Sequence, residues 1–469
     1  MKAVGNPDKT VPQKIIVALL KACSLESDLR KGSKLHADIL KQGLLRRNVF
    51  IGSALVNIYS KVGALAKARQ VFDELSVRNK VAWTALITGY IVHGRGEEAV
   101  ECYEWMQHEG YSPDAVTFAC ILKACGSIGA THKGKDVHKR ILRRGLLAKD
   151  NVLGTALVDM YAKCGSLVDA QEAFDQLPKR DVVSWTALIT GYCKHGLGDE
   201  ALNCFEKMQR EGHSPNAMTF ACILKACGRT GATEKGREVH VQIVREGLLG
   251  KDRVLGSVLV DMYAKCGALA EARAVFEKLP VRDVVSWTGL IEGYCQQGFG
   301  EEAISCFKCM EREGLPPDPV VFVSLLKAYQ TIGSTNESEQ CFEALSTTYG
   351  IVPTLEHHTS LVSFYGNQGL FDHAITAVWK MPSSDYLPVW YALMNACQKW
   401  GNVSLGRLAF DNAIRLDAKA AIAYVRMSRI YAAAGMHAEV DKIEELRLHN
   451  QASHSLKVLT DHERVLFNR

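Results

Sequence analysis

Residues 182–216 read VVSWTALITGYCKHGLGDEALNCFEKMQREGHSPN, and this stretch decides the fold. Trp185, Leu188, Ile189 and Tyr192 stand at i, i+3, i+4 and i+7, one face of a helix. After Gly196 and Gly198, the residues Ala201, Phe205 and Met208 repeat that pattern at i, i+4 and i+7. Asp199 suits the first turn of this second helix, and Gly212 suits its C-terminal cap. Pro215 then opposes helix continuation. A pair of helices this short cannot bury its own apolar stripe. It needs similar pairs stacked on both sides.

Those pairs are in the chain. VAWTALITGY at 81–90 and VSWTGLIEGY at 285–294 repeat VSWTALITGY of 183–192, so Trp83, Trp185 and Trp287 lie 102 residues apart. Tyr59, Tyr161, Tyr263 and Tyr365 keep the same interval, as do Pro113, Pro215 and Pro317. The block divides into a 31-residue phrase (151–181), a 35-residue phrase (182–216) and a 36-residue phrase (217–252). Extended from residue 13 to 385, this rotation makes eleven units. No stretch sustains strand alternation. The expected fold is all-α: an α-solenoid of about eleven helix-turn-helix repeats, followed by C-terminal helical pairs. The expected divisions are a short extension (1–12), the array (13–385), a distinct helical segment (386–450) and a divergent tail (451–469).

The chain carries 56 Lys and Arg against 51 Asp and Glu, a net charge of +5. That mild excess permits a nucleic-acid partner without requiring one. Lys139, Arg140, Arg143 and Arg144 on one expected helix, and Arg46 and Arg47 in an expected turn, fit either a basic contact surface or an ordinary solvated face. Most of the fifteen cysteines occupy repeat positions, such as Cys102, Cys204 and Cys306, or Cys164 and Cys266. Small apolar packing in a reducing compartment accounts for them. No apolar run approaches a membrane span. The first twelve residues lack both a signal-peptide core and the Arg- and Ser-rich look of a transit peptide. Either Met1 is not the natural start or an import signal is missing from this chain.

Several chemical motifs begin and fail. Cys306 and Cys309 form C-x-x-C with no second ligand pair. His437 and Glu439 form H-x-E without the downstream cysteines of a zinc deaminase. Residues 129–135, GATHKGK, approach a phosphate loop, but Asp136 stands where Ser or Thr is needed, and GATEKGRE recurs a block later as an inter-helix turn. His36, His138 and His240, also 102 apart, fit packing or a satisfied hydrogen bond. No active site, metal ligand set or cofactor loop emerges, and the expectation is a non-enzyme that needs no cofactor.

The repeats present something else. The fifth residue of the 31- and 35-residue units is always a hydroxyl: Ser53, Thr84, Thr155, Thr186, Ser257, Thr288 and Thr359. Ser and Thr are not favoured inside helices, so their period needs a reason. The last residue of the same units is always Asp or Asn: Asn79, Asp114, Asp181, Asn216, Asp283, Asp318 and Asp385. Helix N-capping alone accounts for the second set but not for the first. Together with an apolar second residue, the two could hold one planar base per unit. The 36-residue units have Val17, Ala119, Ala221 and Val323 at position five, which cannot donate a hydrogen bond.

LVDMYAKCGSLVDAQEAF and WTALITGYCKHGLGDEALNCFEKMQREGHSPN closely resemble the pentatricopeptide-repeat (PPR) family, in its plant class with alternating 35-, 36- and 31-residue motifs. The resemblance spans residues 13 to about 450. It implies a right-handed superhelix that binds single-stranded RNA, one base per repeat. The fifth and last residues of each motif would read the base, and Val81, Val183 and Val285 at position two would sandwich it. A hydroxyl with Asp implies guanine, whose donors suit a carboxylate, and a hydroxyl with Asn implies adenine. In chain order the implied site is A-G-n-G-A-n-G-G-n-G. The segment from about residue 387 resembles the E motifs that follow the repeats in organellar RNA-editing factors, but no deaminase domain follows. The resemblance therefore implies a specificity factor for C-to-U editing in chloroplast or mitochondrion, recruiting a deaminase-bearing protein in trans. A factor for transcript stability, splicing or translation, and a protein-binding helical scaffold, are the alternatives.

Overall fold

The computed structural model describes residues 29–147, 150–249, 252–383 and 385–448, which are helical throughout with short connections and hold no strand. The expected N-terminal extension, the first half of the first repeat with Val17, and the tail from 451 lie outside the described residues. The chain divides into two compact units at residues 230 and 231.

In the first unit each repeat is a hairpin of helices. Asn151–Lys163 and Leu167–Asp175 form a 31-residue repeat, and Val182–Lys194 and Gly198–Arg210 form a 35-residue repeat. The first helices are equal at 13 residues, while the second helix falls from 13 to 9 in the short repeat, so the missing residues come mainly from that helix. The expected punctuation is in place. Gly212 takes φ +81, which a side chain would resist, just beyond the second helix. Gly129 ends Ala115–Ile128 in the left-handed region at φ 70, so the loop resembling a phosphate site is a helix–helix turn. Arg46 and Arg47 differ from expectation: they belong to the short helix Leu44–Arg47.

Neighbouring repeats lock together through aromatic wedges. Trp185, 2% exposed, meets Phe174 of the preceding repeat edge-on at 4.5 Å between ring centroids. Trp83 with Phe72 repeats the geometry, and in the second unit Trp287 with Phe276 does so again. Truncating a buried ring of this kind costs about 3–5 kcal/mol. An arginine covers each phenylalanine (Arg78, Arg180 and Arg282) and pairs with a glutamate about one repeat on: Glu109, Glu211 and Glu313. The helices approach so closely that a Cβ on Gly191 would lie 2.6 Å from Cβ of Ala162. This explains a glycine inside a helix, where propensity alone costs about 1 kcal/mol.

The periodic histidines are structural. His36, His138 and His240 bond Tyr59, Tyr161 and Tyr263 through Nδ1, each at 3.0 Å, and burial holds all three imidazoles below their ordinary pKa. No disulfide joins two of the fourteen described cysteines. Burial pushes Cys102 up to about 12 and Cys204 and Cys306 up to about 11, so they behave as small packing residues. The second unit continues through Leu387–Trp400, Val403–Leu416, Ala421–Ala433 and a helical stretch over 437–448, which include the C-terminal helical pairs.

Candidate nucleic-acid interface

In all but the final 31-residue repeat, the last residue of a 31- or 35-residue repeat is the N-cap of the next helix. Asn79, Asp114, Asp181, Asp283 and Asp318 each accept, at 2.8–2.9 Å, the backbone N–H of the residue three positions on. Asn216 does the same with Thr219 at 2.9 Å. The cap uses Oδ1 of the side chain, and the second polar atom lies on a residue that reaches the surface; at Asp181 and Asp283 that atom already accepts one hydrogen bond, from the Asn151 amide and the Ser257 hydroxyl. For asparagine the committed atom must be oxygen, because a backbone N–H only donates, so the remaining group is the NH2 donor. For aspartate the remaining atom is an acceptor.

The fifth-position hydroxyls lie beneath this row, and their surroundings differ. Ser53 Oγ reaches Asn79 Oδ1 at 2.9 Å, and Ser257 Oγ reaches both carboxylate oxygens of Asp283 at 3.0 and 3.1 Å. Thr84 and Thr186 meet the last residue through an intermediary, their Oγ1 atoms lying 3.0 and 2.8 Å from Oγ1 of Thr117 and Thr219, and Thr186 Oγ1 also accepts the Asn216 NH2 at 3.5 Å. The Thr117 and Thr219 hydroxyls in turn donate to Asp114 and Asn216 at 2.8 and 3.0 Å. Thr288 donates to the Val284 carbonyl within its own helix.

Two pairs are held apart. Asp181 accepts the Asn151 amide at 2.9 Å, while Thr155 Oγ1 is buried without a hydrogen-bond partner. Thr359 donates to Leu355, and Asp385 pairs with Arg415 at 3.0 Å. Asp385 is also not a cap: Tyr386 occupies the N-cap position of the helix that follows. Ser53, Thr186, Ser257 and Thr288 are all at most 9% exposed. The hydroxyls of Ser53 and Ser257 thus act from below on the amide or acid, whereas Thr155, Thr288 and Thr359 do not touch theirs. Around Asp114, burial raises the carboxyl pKa, but the two Thr117 hydrogen bonds and Lys80 outweigh it, and the group sits below its ordinary value.

Position two is where sequence reasoning saw too little. Val81, Val183 and Val285 are exposed as expected. So are Phe50, Val116, Val152 and Met218 in the first unit, giving six consecutive repeats with an apolar second residue 60–72% exposed. Val254 and Val320 flank Val285 in the second unit. The signal was available: an apolar residue at the second position of every one of these motifs, lying off the buried helix stripe. The basic run over 139–144 is mostly structural. Lys139 pairs with Asp136, Arg140 donates to Gln107, and Arg144 reaches the Pro113 carbonyl and Ser112 Oγ of the preceding repeat. Among the described residues no cluster of His, Cys, Asp and Glu could hold a metal ion, and no helix is long and apolar enough to cross a membrane.

Stacked helical hairpins with a capped acid or amide and an exposed apolar residue at each junction define a repeat protein with a periodic surface. Models of the PPR repeat family match residues 78–127, 180–229 and 282–330, and the PPR repeat model matches 155–182 and 257–284. A mitochondrial pentatricopeptide repeat-containing protein of Arabidopsis thaliana, At1g06140, is 35% identical over 90% of this chain and 75% of its own length. The chloroplastic Arabidopsis protein CRR2 is 36% identical over 95% of this chain and 68% of its own length, whereas a third Arabidopsis relative, At4g33990, is matched over only 54% of its length at 33% identity. The chain belongs to the pentatricopeptide-repeat family. Its fold matches maize PPR10 with a TM-score of 0.59 at 17% identity, covering 94% of this chain and 69% of that one. It also matches PPR10 in complex with an 18-nucleotide psaJ RNA element, with a TM-score of 0.58 at 16% identity over 93% and 74%.

Proposed function

We propose that this chain binds single-stranded RNA base by base and serves as a specificity factor for organellar C-to-U editing, with the deaminase supplied by another protein. One observation carries the RNA reading. At successive junctions an Asp or Asn has its inner oxygen committed to a helix cap, and two residues further on an apolar side chain stands exposed. The apolar residue offers a base a stacking surface. The leftover atom of the acid or amide offers it one hydrogen bond of fixed polarity.

That polarity distinguishes the purines. Adenine N1 is an acceptor and meets the NH2 of Asn79 or Asn216. Guanine N1–H is a donor and meets the carboxylate of Asp114, Asp181, Asp283 or Asp318. Where the two meet, as at Ser53 with Asn79 and Ser257 with Asp283, the fifth-position hydroxyl is a positioning group that holds the acid or amide in place. The preferred RNA is A-G-n-G-A-n-G-G-n-G, weakest at its last base because Asp385 is held by Arg415. The RNA complex of PPR10, and relatives named as mitochondrial or chloroplastic, support RNA as the partner and an organelle as the setting. The C-terminal helical pairs, which resemble E motifs, support recruitment of an editing enzyme.

The test is binding to that decamer, with n as uridine, and to its pyrimidine complement. The decamer should bind more tightly, and Asn216→Asp should move the preference at the fifth base from adenine to guanine. Equal affinity for both RNAs would refute the base assignment. Transcriptome sequencing of a plant lacking the protein should reveal a lost C-to-U site. An altered transcript end with editing intact would favour stabilisation or processing instead.

A further inference from the structure

The third residue after a repeat junction decides how firmly the reading atom is held, and it varies along the chain. After Asp114 and Asn216 it is Thr117 and Thr219, both fully buried. Each threonine sends two donors to one oxygen of the preceding residue. Thr117 N–H and Oγ1 reach Asp114 Oδ1 at 2.9 and 2.8 Å. Thr219 N–H and Oγ1 reach Asn216 Oδ1 at 2.9 and 3.0 Å. With its proton given to Asp114, Thr117 Oγ1 is the acceptor facing Thr84, which chains fifth residue, third residue and last residue together; at the other junction the Thr186 proton is shared between the Val182 carbonyl at 2.6 Å and Thr219 Oγ1 at 2.8 Å.

The equivalent junction in the second unit lacks the link. Val321 replaces the threonine, Asp318 keeps only the backbone donor at 2.9 Å, and Thr288 is left with the Val284 carbonyl alone, a bond that Thr186 also makes to Val182. After Asp181 and Asp283 the residue is serine, and its hydroxyl donates to the backbone carbonyl of the acid at 2.9 and 2.8 Å, so the side chain receives only the N–H from that residue, its other donors being the Asn151 amide and the Ser257 hydroxyl.

We propose that Thr117 and Thr219 are specificity-determining positioning residues, which sharpen base discrimination at their junctions by clamping the inner oxygen of Asp114 and Asn216. The proposal rests on the base-reading function above. An acid held by one bond can swing to suit either purine edge. Two bonds to a buried, helix-anchored residue hold its outer atom in one place, and for Asn216 they resist the amide flip that would exchange donor for acceptor. The step at Asp318 is correspondingly permissive.

Valine at this position is compatible with the fold, since Val321 occupies it. Thr219→Val and Thr117→Val are therefore the natural tests, with Thr219→Ser retaining the hydroxyl and Val321→Thr installing one. Affinities are measured for the full chain with the decamer carrying adenine or guanine at the fifth base, and separately at the second and eighth. Thr219→Val should lower the adenine-to-guanine ratio at the fifth base roughly threefold to tenfold, the worth of one hydrogen bond, with little change at the second and eighth. Thr219→Ser should lower the ratio as valine does, because the hydroxyls of Ser184 and Ser286 at this position turn to the backbone carbonyl and not to the side chain of the acid. Val321→Thr should raise guanine preference at the eighth base. If the unmodified protein discriminates at the fifth base and Asn216→Asp reverses it, yet Thr219→Val leaves the ratio untouched, the clamp is wrong while base reading stands. If the unmodified protein shows no preference there, base reading itself fails, and the clamp with it.

Discussion

Asp114 and Asp150 end consecutive repeats, cap the first helices of the repeats that follow and are the same residue, yet they occupy different sites. Asp114 closes a 35-residue repeat with ψ −178 and accepts the N–H of Thr117, three residues on. Asp150 closes a 36-residue repeat with ψ 98 and accepts from both Val152 and Leu153 at 3.0 and 3.2 Å. Asn48 and Asp252 share the second geometry, with ψ 104 and 107, while Asn79, Asp181, Asp283 and Asp318 share the first. In the 36-residue repeats the fifth position is also apolar, Ala119 or Ala221, so nothing polar waits beneath the cap. Every helix start needs an acceptor for its free N–H groups. Only one of the two chain paths into the helix also places that acceptor over a neighbour's hydroxyl. A capping acid is thus a necessary mark of the candidate reading site and an insufficient one.

The largest expected effect removes the stack on which both junction types depend. Gly191→Ala drives a methyl to 2.6 Å from Ala162 and should cost about 1–3 kcal/mol, read as a lowered midpoint in urea. An unchanged midpoint would show that these helices are free to separate. Next come Asp114→Ala and Asp150→Ala, which should lose similar stability, about 1 kcal/mol each as N-caps. Only the first should abolish guanine preference at the second base. If both or neither did so, the two junctions would be equivalent after all.

A smaller effect comes from the buried histidines. Their folded pKa lies below the unfolded one, so they stabilise the neutral-pH protein, and that contribution fades as pH falls from the unfolded value of about 6.5 through the folded one. Thermal midpoints should decline on acidification from pH 7 to 5, less steeply in His138→Phe, which imitates Phe342 at the matching place in the fourth block. RNA discrimination at Asp114 should stay flat over the same range, because its carboxyl sits below its ordinary value and remains ionised. The smallest effect is Ala119→Thr. A hydroxyl added under the Asp150 cap should create no base preference, and a new preference would mean that the fifth residue, rather than the cap path, makes the site.

Much of this was legible in the chain. The 102-residue period placed the helices, the buried tryptophans and the capping acids, because each depends on residues a few positions apart. The exposed second position was only half seen, although Phe50, Val116 and Met218 share the motif position of Val81 and lie off the buried helix stripe. The separation of Asp385 from Thr359 was not legible, because Arg415 comes from a helix about thirty residues later.

The sequence by itself therefore determined the repeat, the helical hairpins and the residue types offered at each junction, because local hydrogen bonding and helical periodicity are set within a dozen residues. Tertiary structure decided which hydroxyl meets which acid, which acid is diverted to an arginine or an amide, and whether a threonine or a valine stands behind it. Those outcomes depend on gaps of about 3 Å between side chains from different helices, and such gaps are set by how closely the stacked helices approach.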